Sequence, residues 1–300
     1  MSNITLKQLR YFDALARHGH FGQAADTCAI SQPALSVQIK ELEHRLGGPL
    51  FAREPRRVHL TQLGAELLSR ARDILKSVDD LEDLARAAQT QLQGQLRIGV
   101  IPTIAPYLLP AILGTLSTAY PQADIHIRET MTPTLLRELS DGVIDTAILA
   151  LPISESWLTE YPLFDENFVL VRPQSDANNP VPDPTDLQRM RLLLLEEGHC
   201  FRDQALSFCH VPATARTNTL DGTTLSTLVR MVDAGFGVTL LPQMAIATET
   251  QSAQVCISQF QDPQPSRTIG MIWRKSSPLT PHFEEMAKLI TEAAQGQPSL

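Results

Sequence analysis

Leu192-Leu193-Leu194-Leu195-Glu196-Glu197-Gly198-His199-Cys200-Phe201-Arg202-Asp203-Gln204-Ala205-Leu206-Ser207-Phe208-Cys209-His210 joins an apolar run to two closely spaced cysteines. Four consecutive leucines read as a buried strand. Glu-Glu-Gly ends it, so the next residues lie at the carboxyl end of a strand, where α/β proteins keep their sites. Two of the four cysteines of this 300-residue chain fall here. Cys200 is flanked by His199 and Arg202, a cationic setting that favours a thiolate. If 201–209 is helical, Cys200 and Cys209 point to opposite faces and stand about 13 Å apart along the axis. A disulfide needs Cα atoms about 5.5 Å apart. A bond between them therefore requires the segment to unravel, which would couple oxidation to a change of shape. Spacing alone leaves two other readings open. The cysteines could be small core residues, or His199-Cys200 and Cys209-His210 could hold a metal, although adjacent His-Cys ligands close a tetrahedron only with strain.

Working outward, strands and helices alternate from Gln95 onward. Residues 96–100 read as a strand with Ile101-Pro102-Thr103 as its exit loop, and 125–129 as a strand leading to Thr130-Met131-Thr132. Strands at 145–151 and 168–172 follow. A helix at 224–234 is stopped by Gly235-Phe236-Gly237, then come strands at 238–241 and 268–273 and a last helix at 281–294. This order predicts an α/β domain with a largely parallel sheet. Thr103 and Thr132 both fall at strand ends, where a threonine either caps a helix or meets a ligand.

The first 60 residues differ in kind. They carry eight Lys/Arg against five Asp/Glu, while the remainder carries 17 against 28, within a total formal charge of −8. A basic head on an acidic body suits a DNA-binding domain joined to a regulatory one. Leu6, Leu9, Phe12, Leu15 and Ala16 recur at helical spacing up to Gly19, and Phe21 to Cys28 reads as a short second helix. Ser31 then caps a third helix with Pro33 in its first turn. Its apolar stripe is Leu35, Ile39, Leu42 and Leu46, which leaves Gln32, Ser36 and Lys40 on the open face. Two helices and a short turn, the second helix polar outside, make a helix-turn-helix. Phe51 to Thr61 has the turn-and-strand character of a wing, with Arg53, Arg56 and Arg57 placed to meet phosphates or a minor groove. Thr61 opens a long helix to about Gln91. Its stripe of Leu63, Leu67, Ile74, Val78, Leu81 and Leu84 has no apolar partner in the chain and pairs most simply with its copy in a dimer. Gln91 to Gly94 is then a polar hinge. The opening Met1 to Thr5 lacks the pattern of a secretory signal, and the apolar run 98–116 is broken by Pro102, Pro106 and Pro110. A cytoplasmic protein with no membrane span is expected. A disulfide there is more often regulatory than structural.

Phe21-x-x-Ala24-Ala25 followed by Ser31-Gln32-Pro33-x-Leu35-Ser36-x-x-Ile39-x-x-Leu42-Glu43 resembles the signature of the LysR-type transcriptional regulators. Gly198-His199-Cys200-x-Arg202-Asp203-Gln204, with Cys209 five residues on, resembles the redox loop of the peroxide-sensing branch of that family. The resemblance covers nearly the whole chain. It implies a winged helix-turn-helix over residues 1–61, a linker helix and hinge over 62–94, and a two-lobed, periplasmic-binding-protein-like effector domain over 95–300. The lobes would comprise about 95–165 with 270–300, and 166–269. It implies Cys200 and Cys209 as a redox pair, with Thr103, Thr132, His199, Arg202, Asp203 and Arg267 holding peroxide or the thiolate. It also implies that Ser31, Gln32, Pro33, Ser36, Lys40, Arg53, Arg56 and Arg57 meet double-stranded operator DNA. The expected effector is hydrogen peroxide, and the expected partners are RNA polymerase, thiol reductants such as glutaredoxin or thioredoxin, and further copies of the chain as a homodimer assembling to a homotetramer. No metal or cofactor is expected, and the chain is expected to be a regulator, not an enzyme. Cys28 should be buried and inert, and Cys256 matches nothing in the redox motif. The competing reading is a LysR-type regulator with a metabolite in the inter-lobe cleft.

Overall fold

The structure, a computed structural model, describes residues 4–54, 57–88, 92–187, 189–209 and 220–296. It divides at Ala85/Arg86 into two units, each with its own core.

In the first unit, α1 (Leu6–His18) is opened by a capping box between Thr5 and Gln8 and closed at Gly19. Helix α2 (Phe21–Thr27) buries Ala24 and Ala25, whose small side chains let its neighbours approach closely. Ser31 caps α3 (Gln32–Leu46) by accepting from the Ala34 amide. Leu35, Ile39 and Leu42 of α3 are fully buried against Phe12 and Leu15 of α1. Strands β1 (Phe51–Glu54) and β2 (Arg57–Leu60) form an antiparallel hairpin. Thr61 accepts from the Gly64 amide and so opens α4 (Gln62–Ala87). This helix stops short of the expected Gln91, which itself lies outside the described residues. In its last turn Arg86 donates to the carbonyls of Gln93 and Gln95, which draws the chain back toward the following strand. Leu68 and Ala71 of α4 join the core. Ile74, Leu81 and Leu84 remain exposed at 49%, 67% and 59%.

The second unit starts with two strand–helix steps and a third strand: β3 (Gly94–Val100), α5 (Ala105–Ala119), β4 (Ala123–Glu129), α6 (Thr132–Ser140) and β5 (Thr146–Leu151). There follow the long β6 (Leu158–Pro173), α7 (Pro184–Leu187), β7 (Leu193–Leu195), α8 (Cys200–Phe208), β8 (Leu220–Gly222) and α9 (Leu225–Asp233). The chain then runs through β9 (Thr239–Pro242), α10 (Ile246–Glu249), β10 (Val255–Gln259), β11 (Ser266–Arg274) and α11 (Thr280–Gln295). The main sheet has the order β10-β6-β11-β5-β3-β4, with β9 also on β6, and β7 pairs β8 separately.

This corrects the expectation of a largely parallel sheet. Only β3, β4 and β5 run parallel within the main sheet; β11 is antiparallel to β5 and β6, and β6 is antiparallel to β9 and β10. Strand–helix–strand units force parallel neighbours only where the helix returns the chain to the same edge. Here β6 and β11 instead run antiparallel side by side between two cores. One core gathers β3, β5, α5 and α11 around Trp273 and Phe283. The other gathers Phe168 to Val171 of β6 with β7, β9, α8 and α9. Tyr107 of α5 packs against both, and its hydroxyl donates to Glu249 at 2.7 Å. Among the described residues no helix is long and apolar enough to cross a membrane.

Candidate functional site

Three chain segments that leave the strands β3, β4 and β7 converge in the second unit. After β3 the turn Ile101-Pro102-Thr103 leads to α5; after β4, Met131 leads into α6, whose first residue is Thr132; after β7, Gly198 and His199 lead into α8, whose first residue is Cys200. Together they line a narrow crevice. Gly198 is required for the approach. Its φ of 98° lies in the left-handed region, and a Cβ there would sit 2.9 Å from the Met131 sulfur.

Neither threonine serves as an N-cap, since those positions are Ile104 and Met131. The Thr103 hydroxyl accepts from Arg267 Nη1 at 2.9 Å, and the Thr103 carbonyl accepts from Nη2 at 3.1 Å. Its hydroxyl proton therefore remains available to donate. Arg267 is held in turn by Glu166, with Nε donating to Oε2 at 2.8 Å, and both side chains are shielded from solvent. The other Glu166 oxygen accepts from the Met244 amide at 2.9 Å. Arg267 also lies over the Phe201 ring at 5.6 Å. The Thr132 hydroxyl is buried and has no hydrogen-bond partner among the described residues. A buried, unmet hydroxyl costs stability and keeps its donor and acceptor capacity for a molecule that enters the crevice.

His199 is part of this lining, and burial lowers its pKa from 6.5 against a smaller opposing effect of Glu196. The imidazole is thus neutral near pH 7. Cys200 is half-buried against the first core, with its sulfur at the positive end of the α8 backbone dipoles. Cys209, the α8 C-cap, is fully buried in the second core, and burial pushes its thiol up to about 12. All four cysteines are free thiols.

Two of the expected residues have their contacts elsewhere. Arg202 does not face the crevice: its Nη1 donates to the Leu195 carbonyl at 2.6 Å and to Asp221 at 2.7 Å, tying α8 to β7 and β8. Asp203 is exposed and lines a separate groove with Phe168 and Gln204. With His199 neutral and Arg202 turned away, the cation bordering the crevice is Arg267. Glu166, Phe201 and Met131 were not singled out from sequence, and Gly198 entered only as the first residue of the cysteine motif. The polar break Asp165-Glu166-Asn167 between apolar stretches was the available signal for Glu166.

In the first unit Gln32, Pro33 and Lys40 of α3 are exposed and Ser36 is half-buried, while Ser31 spends its hydroxyl on the cap. Val37 is exposed at 56% among them. Arg56 lies outside the described residues, as do the side chains of Arg53 and Arg57 and the whole of His210. Cys28 is half-buried, not fully buried as expected, and burial followed by nearby Asp13 raises its thiol pKa. The Cys256 thiol lies 3.4 Å from the Pro173 carbonyl.

Residues 6–65 match the family model described as "Bacterial regulatory helix-turn-helix protein, lysR family", and residues 89–295 match "LysR substrate binding domain". The chain is 40% identical to the hydrogen peroxide-inducible genes activator of Pectobacterium carotovorum over 295 residues, covering 98% of each. Among solved structures it is similar to a full-length OxyR variant from Pseudomonas aeruginosa, with TM-score 0.76 and 37% identity over 97% of this chain and 95% of that one. It is also similar to a mutant Corynebacterium glutamicum OxyR with hydrogen peroxide bound, with TM-score 0.67 and 36% identity over 97% and 92%.

Proposed function

The chain belongs to the LysR family of bacterial helix-turn-helix regulators, and from that premise we propose that it senses hydrogen peroxide through a reversible Cys200–Cys209 disulfide. The observation that carries this reading is the unmet Thr132 hydroxyl in a crevice shared with Thr103, His199 and Cys200. A peroxide molecule offers both a donor and an acceptor to such a pair of hydroxyls.

The Cys200 thiolate attacks one peroxide oxygen and breaks the O–O bond, so that sulfur is oxidised to the sulfenic acid and hydroxide leaves. Thr103 and Thr132 donate to the departing oxygen, and Arg267, fixed by Glu166, offsets its charge. Neutral His199 orients the peroxide without competing for the anion. Cys209 then attacks the sulfenic sulfur, forms the S–S bond and releases water. Its raised pKa makes it a poor nucleophile while it is buried, so α8 must open before this step. The disulfide fixes the opened segment, and the effector lobes repack. Reduction by thiol–disulfide exchange with glutaredoxin or thioredoxin resets the switch.

The same reading assigns 1–61 as a winged helix-turn-helix, with β1 and β2 as the wing, and 62–94 as linker. It assigns 95–165 with 270–300 and 166–269 as two lobes of a periplasmic-binding-protein-like domain. Gln32, Pro33, Ser36 and Lys40 face operator DNA, Ser31 caps their helix, and Arg53, Arg56 and Arg57 meet its phosphates. The exposed α4 stripe joins two copies, which assemble further to a tetramer that contacts RNA polymerase in the cytoplasm. The chain acts as a regulator, not as an enzyme. Footprinting on a promoter that binds the protein tests the function. Peroxide should change the protected region, and Cys200→Ser should abolish the change. A Cys200→Ser protein that still switched would overturn the redox reading in favour of a metabolite in the cleft.

A further inference from the structure

Beside the crevice, α8 forms one wall of a second recess. This open groove holds about 410 Å³ where β6 passes from one core to the other, bordered by Phe168, Asp203, Gln204, Ser207, Phe208 and Ser266. That is within the range of small-molecule sites, roughly 300–1,000 Å³. Among the described residues, the one charge in its lining is negative. The Asp203 carboxylate is exposed and makes no ion pair or hydrogen bond among the described residues. The Gln204 side-chain oxygen is buried with no partner among the described residues. Ser207 and Ser266 add hydroxyls that can accept. The apolar walls are phenyl rings fixed by edge contacts, Phe168 against Phe201 at 5.0 Å and Phe208 against Phe260 at 4.9 Å.

We propose that this groove binds a small organic cation of the amidinium, guanidinium or primary-ammonium class. A carboxylate accepts two parallel N–H bonds from a planar cation, the Gln204 oxygen accepts a third, and aromatic walls favour a positive group over their faces. An anion would be repelled by the Asp203 carboxylate. Because Asp203 lies in the first turn of α8 and Ser207 in its last, a seated cation braces the helix along its length. The cation therefore slows closure of the Cys200–Cys209 disulfide, a consequence that rests on the redox reading above.

Benzamidine, whose ring suits the phenyl walls, and neutral benzamide of the same shape are the probes. Calorimetric titration of the reduced full-length protein should show benzamidinium binding about tenfold more tightly than benzamide. Asp203→Asn should remove that preference. Gln204→Leu, which deletes an unmet buried acceptor and so should fold at least as well, should weaken benzamidinium binding several-fold. Equal binding of the two probes, or a preference untouched by both substitutions, would overturn the site. A peroxide time course is then run with and without saturating benzamidine. Slower disulfide closure supports the brace, and an unchanged rate overturns it. If no disulfide forms without benzamidine either, the redox reading fails, while the titration still decides the groove.

Discussion

Thr132 holds a buried hydroxyl that the folded protein leaves unmet, and that makes it the most informative single residue. Thr132→Val keeps the shape and removes the polar atom, so the melting temperature should hold or rise. If the hydroxyl donates to the departing peroxide oxygen, Cys200 oxidation should slow by about 10²-fold. Quenched-flow alkylation and calorimetry read the two effects separately. His199 gives a pH dependence. Its folded pKa lies below 6.5, so above that value both states are neutral and its burial is free of charge cost. As pH falls below 6.5 the unfolded state takes up the proton first, so stability declines and levels off only below the folded value. Urea unfolding at about pH 7.5 and about pH 5.5 should show a smaller difference in His199→Gln than in the parent. Thr103, Thr132, His199 and Cys200 could be read from sequence because strand ends and helix starts are written in the pattern. Arg202 and Asp203 misled because charge says nothing about which side of a helix turns toward its neighbour. Glu166 was missed because one carboxylate inside a polar break looks like any other.

At the level of elements, α8 is the moving part in this account. Its two ends are anchored in different cores, and about 13 Å of helix separates its cysteines. The rate of disulfide closure after sulfenic acid formation should follow helix stability. Ser207 is exposed, so substitutions there act mainly through helix propensity. Ser207→Ala and Ser207→Gly differ by about 1 kcal/mol in that propensity, or about fivefold in the opened population. Mass spectrometry should find closure slower in the alanine variant and faster in the glycine variant, with the initial attack on peroxide unchanged. Equal closure rates would mean that α8 need not open. Helix caps and apolar stripes made α1 and α3 legible to within a residue or two, whereas α8 entered only as a condition on the cysteine spacing. The direction of β6 and β11 was not legible. Glu160, Pro162, Asp165 and Asn167 interrupt β6, and alternation of strand and helix reveals adjacency without direction.

At the scale of the whole molecule, the division into a basic head and an acidic body was visible in charge counts alone, because each unit buries its own core. What a single chain leaves unsatisfied is the α4 stripe. Leu81, exposed at 67%, should carry much of the association between copies. Leu81→Glu should shift sedimentation toward the monomer and weaken binding to a two-half-site operator far more than to an isolated half-site. Equal loss on both would point to a folding defect. The account as a whole turns on one event, the joining of two thiols that the reduced fold keeps apart. The measurement that tests it most directly is mass spectrometry of the reduced protein after a brief, near-stoichiometric pulse of hydrogen peroxide. A single Cys200–Cys209 disulfide, absent when either residue is serine, is the predicted result; survival of both thiols through the pulse would contradict it.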